Sequence, residues 1–243
     1  MKLIPATSAP WGGADNWLMP DDGGNARIEK TAHVYRSARV CDSAMVYGSA
    51  RVYDSARVYG SARVCGSAMV CGSARVCGSA LVYGTAMVCG SALVCDSALV
   101  CDSALVYGTA LVCDSARVYG TAQVCGSALV CDSALVCDSA LVYGTAQVCG
   151  SAQVCGDGDV RSILDLMVVH GVGRAAGTLT LHRDRKLGVR LNRGCFSGSF
   201  DEFMSRLEDI PQHDFYRAIV PPMVAELRRR MTPLDHNSKD AKS

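Results

Sequence analysis

From Ala26 to Ala152 alanine recurs at every sixth position without insertion or deletion, 22 times in all. Two residues after each alanine stands an aliphatic residue, Ile28 first and then Val34, Val40, Val46 and onward to Val154. The unit reads Ala-x-Val-(Cys/Tyr)-(Gly/Asp)-(Ser/Thr), with x mostly Arg, Met, Leu or Gln. Side chains alternate along an extended chain, so Ala and Val share one side while x and Cys/Tyr share the other. Arg39, Arg51, Arg57, Arg63 and Arg75 occupy x. The x side therefore faces water and the Ala/Val side is the interior. Gly or Asp followed by Ser or Thr makes a corner, because Gly and Asp accept turn conformations and hydroxyls bond nearby backbone. A three-residue strand with a corner cannot build a sheet within one hexad. Three hexads, about 18 residues, close a triangle, and each coil stacks on the next at about 4.8 Å. The pattern predicts a β-solenoid of about seven coils from Thr31 to Gly156.

Folding the hexads by 18 sorts the outward residues into columns. One face stacks Cys77, Cys95, Cys113, Cys131 and Cys149 beside Asp96, Asp114 and Asp132; the other two interleave Tyr and Cys. The x columns change along the axis: on that first face Arg39, Arg57 and Arg75 give way to Leu93, Leu111 and Leu129, then Gln147. The middle of the rod is expected to carry an outward apolar belt, Leu81, Leu93, Leu99, Leu105, Leu111, Leu129, Leu135 and Leu141. A belt of that size marks an interaction surface, most simply for a homo-oligomer, dimer or trimer, packed through solenoid faces.

With those residues in view, the sequence resembles the hexapeptide-repeat family over residues 26–157. The resemblance implies a mainly β fold, a left-handed parallel β-helix. The usual family unit places Gly directly after the aliphatic residue, whereas here Cys or Tyr intervenes. That variant is similar to bacterial and phage-encoded members of unassigned function, which implies a structural or adhesive scaffold or spacer and allows a virion-associated place. The alternative implied by the family is an acyltransferase-like enzyme with a site between subunits. Such enzymes use a His general base and a loop interrupting the repeat, and the related gamma-type carbonic anhydrases use three His. The repeat here has no interrupting loop, and His33 is its single His, standing at an x position. Catalytic residues, metal and cofactor are all expected to be none. Ice binding would need ranks of Thr, and Thr85, Thr109, Thr121 and Thr145 are too few.

Composition agrees with a thin interior: 49% of residues are hydrophobic but only 6% aromatic. A formal net charge of +1 gives no global pull toward nucleic acid. No apolar run approaches the roughly 20 residues of a membrane span. Met1-Lys2-Leu3-Ile4-Pro5 lacks a signal-peptide stretch, so a cytoplasmic location and reduced thiols are expected. Thirteen of the fourteen Cys share one repeat position, six residues or a multiple apart, which excludes C-x-x-C metal and redox motifs. Cysteines one coil apart nevertheless lie near disulfide distance. The Asp96, Asp114 and Asp132 column could attract a cation, although turn residues are the plainer account.

The ends differ from the repeat. Residues 1–25, with Trp11 and Trp17, suit an N-terminal cap or tail. Residues 158–232 read as a small α+β domain and 233–243 as a disordered tail. Strands are expected at Ile163–Val169, Gly177–Arg183 and Gly188–Asn192. Ser199 and Glu202 form a capping box opening a helix with Phe203, Leu207 and Ile210 on one face. A last helix is expected to begin near Pro222 and end at Arg228-Arg229-Arg230, where cations suit the helix dipole. Residues 160–243 hold 14 Lys/Arg against 10 Asp/Glu, too mild a bias to argue for nucleic acid. Asn192–Phe203 resembles the small C-terminal domain of phage-type hexapeptide proteins, with its Gly-Cys-Phe-x-Gly-x-x-Asp-Glu-Phe motif. Cys195, before the helix, is expected to pack with Phe196 into this domain's core; as a nucleophile it would need His170 or His182 nearby.

Overall fold

The structure, a computed structural model, describes residues 3–5, 17–20, 25–35, 37–172, 176–207 and 214–231. Trp11, Ile210 and the 233–243 segment lie outside the described residues. Each hexad contributes a two-residue strand of x and Val, such as Leu111–Val112. Strands 18 residues apart pair in parallel and in register, Leu93 with Leu111 and Leu111 with Leu129. The result is three parallel stacks forming the walls of a solenoid. The first stack runs from Arg27 to Gln153, the second from His33 to Asp159 and the third from Arg39 to Gln147. Every repeat Ala is buried, and the aliphatic residue of every hexad from Val40 on is fully or almost fully buried. Only the first Val, Val34, is half-buried. Burying a Val stabilises by about 1.5–3 kcal/mol, and each coil buries three.

The corner explains the choice between Gly and Asp. Gly78 has φ +66°, and a Cβ added there would stand 2.7 Å from the backbone nitrogen of Asp96 in the next coil. Asp96, Asp114 and Asp132 adopt the same left-handed region, φ 58–59°, a conformation Asp tolerates better than most residues. Their side chains repay the strain locally. Asp114 accepts the backbone N–H of Asp132 at 3.2 Å, and Asp132 that of Gly150 at 2.8 Å. Asp42, Asp102 and Asp138 do the same for Gly60, Gly120 and Gly156. Asp therefore supplies a turn and a coil-to-coil hydrogen bond together.

At the N-terminal end, β1 (Leu3–Pro5) pairs antiparallel with β2 (Trp17–Pro20), and β2 with β3 (Arg27–Glu29), the first strand of the first stack. At the other end stands a four-stranded antiparallel sheet: β4 (Leu166–Val172), β5 (Gly177–Asp184), β6 (Gly188–Arg193) and β7 (Phe196–Ser199). Two helices follow, α1 (Phe200–Ser205) and α2 (Asp214–Arg230). Val172, Leu179, Leu181, Val189, Leu191, Phe203, Leu207, Tyr216, Val220, Val224 and Leu227 form the core of this unit.

Three local expectations are corrected here. Ile163–Asp165 is a 3₁₀ turn capped by Ser162, with Ile163 and Leu164 exposed, and the strand begins only at Leu166. The last helix starts at Asp214, ahead of Pro222, and passes through Pro221 and Pro222. Proline removes a backbone donor and is poor in a helix interior. Here Tyr216, Val220, Val224 and Leu227 recur on one buried face, and that burial carries the helix across both prolines. Cys195 is exposed, at the tip of the turn between β6 and β7 after Gly194 (φ 57°). Phe196 packs against the small core without it, edge-on to Phe203 at 5.1 Å. The capping box is as expected: Ser199 accepts the N–H of Glu202, and Glu202 accepts that of Ser199.

Candidate functional site: the outer columns and the junction

The eight leucines are divided among the three walls. Leu81, Leu99 and Leu135 lie on the first stack, broken by Arg117. Leu105 and Leu141 lie on the second, separated by Gln123. Only the third brings three together in succession, Leu93, Leu111 and Leu129, between Arg75 and Gln147. All eight are half-buried, whereas among the described residues the large apolar side chains standing open to water are Tyr35, Ile163, Leu164, Leu187 and Phe215.

The cysteine columns follow the expected registers but are not uniformly reduced. Cys131 is bonded to Cys149 and Cys137 to Cys155, with Cα–Cα distances of 4.8 and 4.7 Å. That spacing lies within the disulfide window, and it is set by the sheet rather than by any local motif. At Cys95 and Cys113 burial and the neighbouring corner carboxylate hold the thiol protonated. Burial first, then the hydrogen bond to Asp96, pushes Cys95 up to about 12. Burial and the hydrogen bond to Asp114 push Cys113 to about 11. Among the described residues three sets of donors come within 4.8 Å of one another: Cys131, Asp132 and Cys149; Cys137, Asp138 and Cys155; Asp96, Cys113 and Asp114. In the first two the sulfurs are bonded to each other. In the third both carboxylates already accept backbone N–H groups.

The junction between solenoid and C-terminal unit is a polar cluster that the sequence reading missed. The last strand of the first stack has no further coil to pair with. Thr180 of β5 accepts the N–H of Gln153 at 3.1 Å, His182 accepts that of Cys155 at 3.4 Å, and Asn192 of β6 donates to the C=O of Gln153 at 2.9 Å. Side chains of the small sheet thus replace the missing coil. The His182 ring is fully buried, bonded through Nδ1 to the C=O of Arg183 and through Nε2 to Asn192. Burial pushes its pKa down to about 4, so the ring is neutral at pH 7. Nδ1 then carries the proton and Nε2 accepts. Gly158 leaves room for it, since a Cβ there would stand 3.1 Å from Cε1. Alongside, buried Arg183 lies 3.7 Å from both Asp159 and Asp165. Arg190 binds Asp184 at 2.6 Å and, with the N–H groups of Lys186 and Leu187, holds its carboxyl below the usual range despite burial. Only the alternation of Thr180, His182 and Asp184 hinted at this polar strand face.

Two further features bear on chemistry. His33 is exposed and stacks on Tyr35 with ring centroids 5.5 Å apart. Next to it, Tyr35, Arg51, Tyr53, Asp54 and Met69 line an open depression of about 550 Å³. The two histidines considered for Cys195 are engaged elsewhere: His182 is enclosed at the junction, and His170 is bonded to Thr178 at 3.1 Å. Among the described residues no helix is long and apolar enough to cross a membrane.

Stacked parallel coils, an Ala/Val interior and end caps define a β-helix repeat protein. A family model described as YdcK Beta solenoid repeat matches residues 50–66, so the chain is similar to that repeat across about one coil. Comparison with curated proteins gave no match, and comparison with solved structures gave none either.

Proposed function

We propose that the protein is a non-enzymatic structural rod of the bacterial or phage-type hexapeptide-repeat kind, which self-associates through the third solenoid face. The observation that supports this reading is the unbroken ladder Leu93–Leu111–Leu129. Among the described residues it is the one place where three outward leucines follow one another on successive coils. Charge favours an antiparallel pair centred on Leu111. That arrangement sets Leu93 against Leu129 of the second copy and Arg75 against Gln147, whereas a parallel one would face Arg39, Arg57 and Arg75 with their own kind. Sedimentation velocity over a concentration series tests it. The whole chain is expected to run as a dimer, Leu111→Glu as a monomer, and Leu105→Glu, on the second face, as a dimer still. A wild-type monomer at high concentration, or a dimer indifferent to Leu111→Glu, overturns the reading.

A further inference from the structure

The two disulfides have the same register and spacing but different neighbours. Cys77, Cys95, Cys113, Cys131 and Cys149 follow one another on the third face. Each of the first four donates its backbone N–H to the Val C=O of the next coil at 2.9–3.0 Å. The free thiol of Cys113 therefore lies one coil from the bonded pair Cys131–Cys149, with Cys95 and Cys77 beyond it. Beside Cys137–Cys155 the same place is taken by Tyr119. A thiolate displaces a sulfur along the line of the bond it breaks, and a column of sulfurs parallel to the rod offers that line.

We propose that the Cys131–Cys149 disulfide migrates along its column by internal thiol–disulfide exchange, so that the rod carries one movable disulfide and one fixed one. In the first step Cys113 loses its proton and its sulfur attacks Cys131 Sγ. The Cys113–Cys131 bond forms and the Cys131–Cys149 bond breaks. The electron pair leaves on Cys149, which takes up the proton. Nothing is oxidised or reduced overall, and no outside reagent enters. Cys95 then stands to Cys113–Cys131 as Cys113 stood to the original pair, and Cys77 follows. The oxidising equivalent moves toward the N-terminal end while a thiol is released at the C-terminal end. Exchange occurs between stacked neighbours within one chain, so it does not depend on the self-association proposed above. The high thiol pKa of Cys113, about 11, makes the step slow at neutral pH and base-accelerated.

The test uses the full chain, oxidised with diamide, freed of reagent and kept without oxygen or small thiols between about pH 7 and about pH 10. Samples are quenched in acid, free thiols are capped, and cleavage before aspartate separates the peptides of Cys95, Cys113, Cys131 and Cys149 for mass spectrometry. The expected result is a growing Cys113–Cys131 link, its rate rising about tenfold per pH unit, while Cys137–Cys155 persists. Asp114→Asn, which removes the carboxylate holding the Cys113 proton, speeds the exchange at fixed pH. Cys113→Ser, checked for retained strand circular dichroism, abolishes it. Four results overturn the proposal: Cys131–Cys149 persisting alone through the whole wild-type pH series, exchange surviving in Cys113→Ser, equal scrambling of Cys137–Cys155, or no Cys131–Cys149 link forming under diamide.

Discussion

The solenoid and the C-terminal unit solve the same problem in opposite ways. In the solenoid the interior is built from Ala and Val with Ile28 at its start, and each hexad bonds to the hexad one coil on through the same three backbone bonds. In the small unit the core adds Leu, Phe and Tyr to Val, and its buried polar groups meet partners that occur nowhere else in the chain. Repetition spreads stability over many equivalent contacts, so no corner matters more than another. The junction concentrates it, because Thr180, His182, Arg183 and Asn192 must end a ladder that would otherwise expose a template for further pairing. The single-use network is therefore where the molecule is most sensitive.

Breaking the junction has the largest expected effect. Arg183→Ala leaves the carboxylates of Asp159 and Asp165 buried without their shared cation. Removing one partner of a buried ion pair costs about 3–5 kcal/mol, to be read from the midpoint of urea denaturation. If Arg183→Ala costs no more than a solenoid corner change, the contrast between the two regions fails.

Acid sharpens the same contrast. His182 titrates at about 4 in the folded chain and near 6.5 when unfolded. Between those values the unfolded chain takes up a proton that the folded chain refuses. The stabilisation is thus complete above about pH 6.5 and is lost as pH falls toward 4, by on the order of 3 kcal/mol. Stability measured across that window should show a step that His182→Gln removes, at the cost of lower stability at neutral pH.

Corner substitutions have the smallest expected effect and test equivalence along the rod. Asp114→Ala leaves an apolar Cβ at positive φ and frees the N–H of Asp132, costing about 1–2 kcal/mol. Asp132→Ala should cost the same within about 0.5 kcal/mol, since it accepts the matching bond from Gly150. Asp114→Gly should cost less than either, because glycine relieves the backbone while losing only the hydrogen bond. Thermal unfolding of the three variants separates these outcomes, and unequal Asp114→Ala and Asp132→Ala would show that the corners are not interchangeable.

Most of the architecture was legible because the hexad is short and strict. Once Arg39 and its fellows put x outside, Val112 had to be inside, and Cys113 had to stack on Cys131. The same arithmetic set Leu93, Leu111 and Leu129 in one column between Arg75 and Gln147, and the parallel pairing of the third wall has that register. In the C-terminal unit the capping box was readable because Ser199 and Glu202 act over three residues. The start of α2 was not, since local preference at Pro221 and Pro222 yields to a buried face that includes Tyr216. Cys195 looked like a core residue from its neighbours, but the β6–β7 turn points it to solvent.

The sequence alone determined the period, the inward and outward sides, the corner residues and the stacking register, because each follows from interactions among residues close along the chain or one repeat apart. How His182, Asn192 and Arg183 close the last coil was decided only by tertiary structure. Those contacts join residues whose separations, such as the 39 between Gln153 and Asn192, follow no repeat. Their energies depend on burial that exists only after both regions have folded against each other.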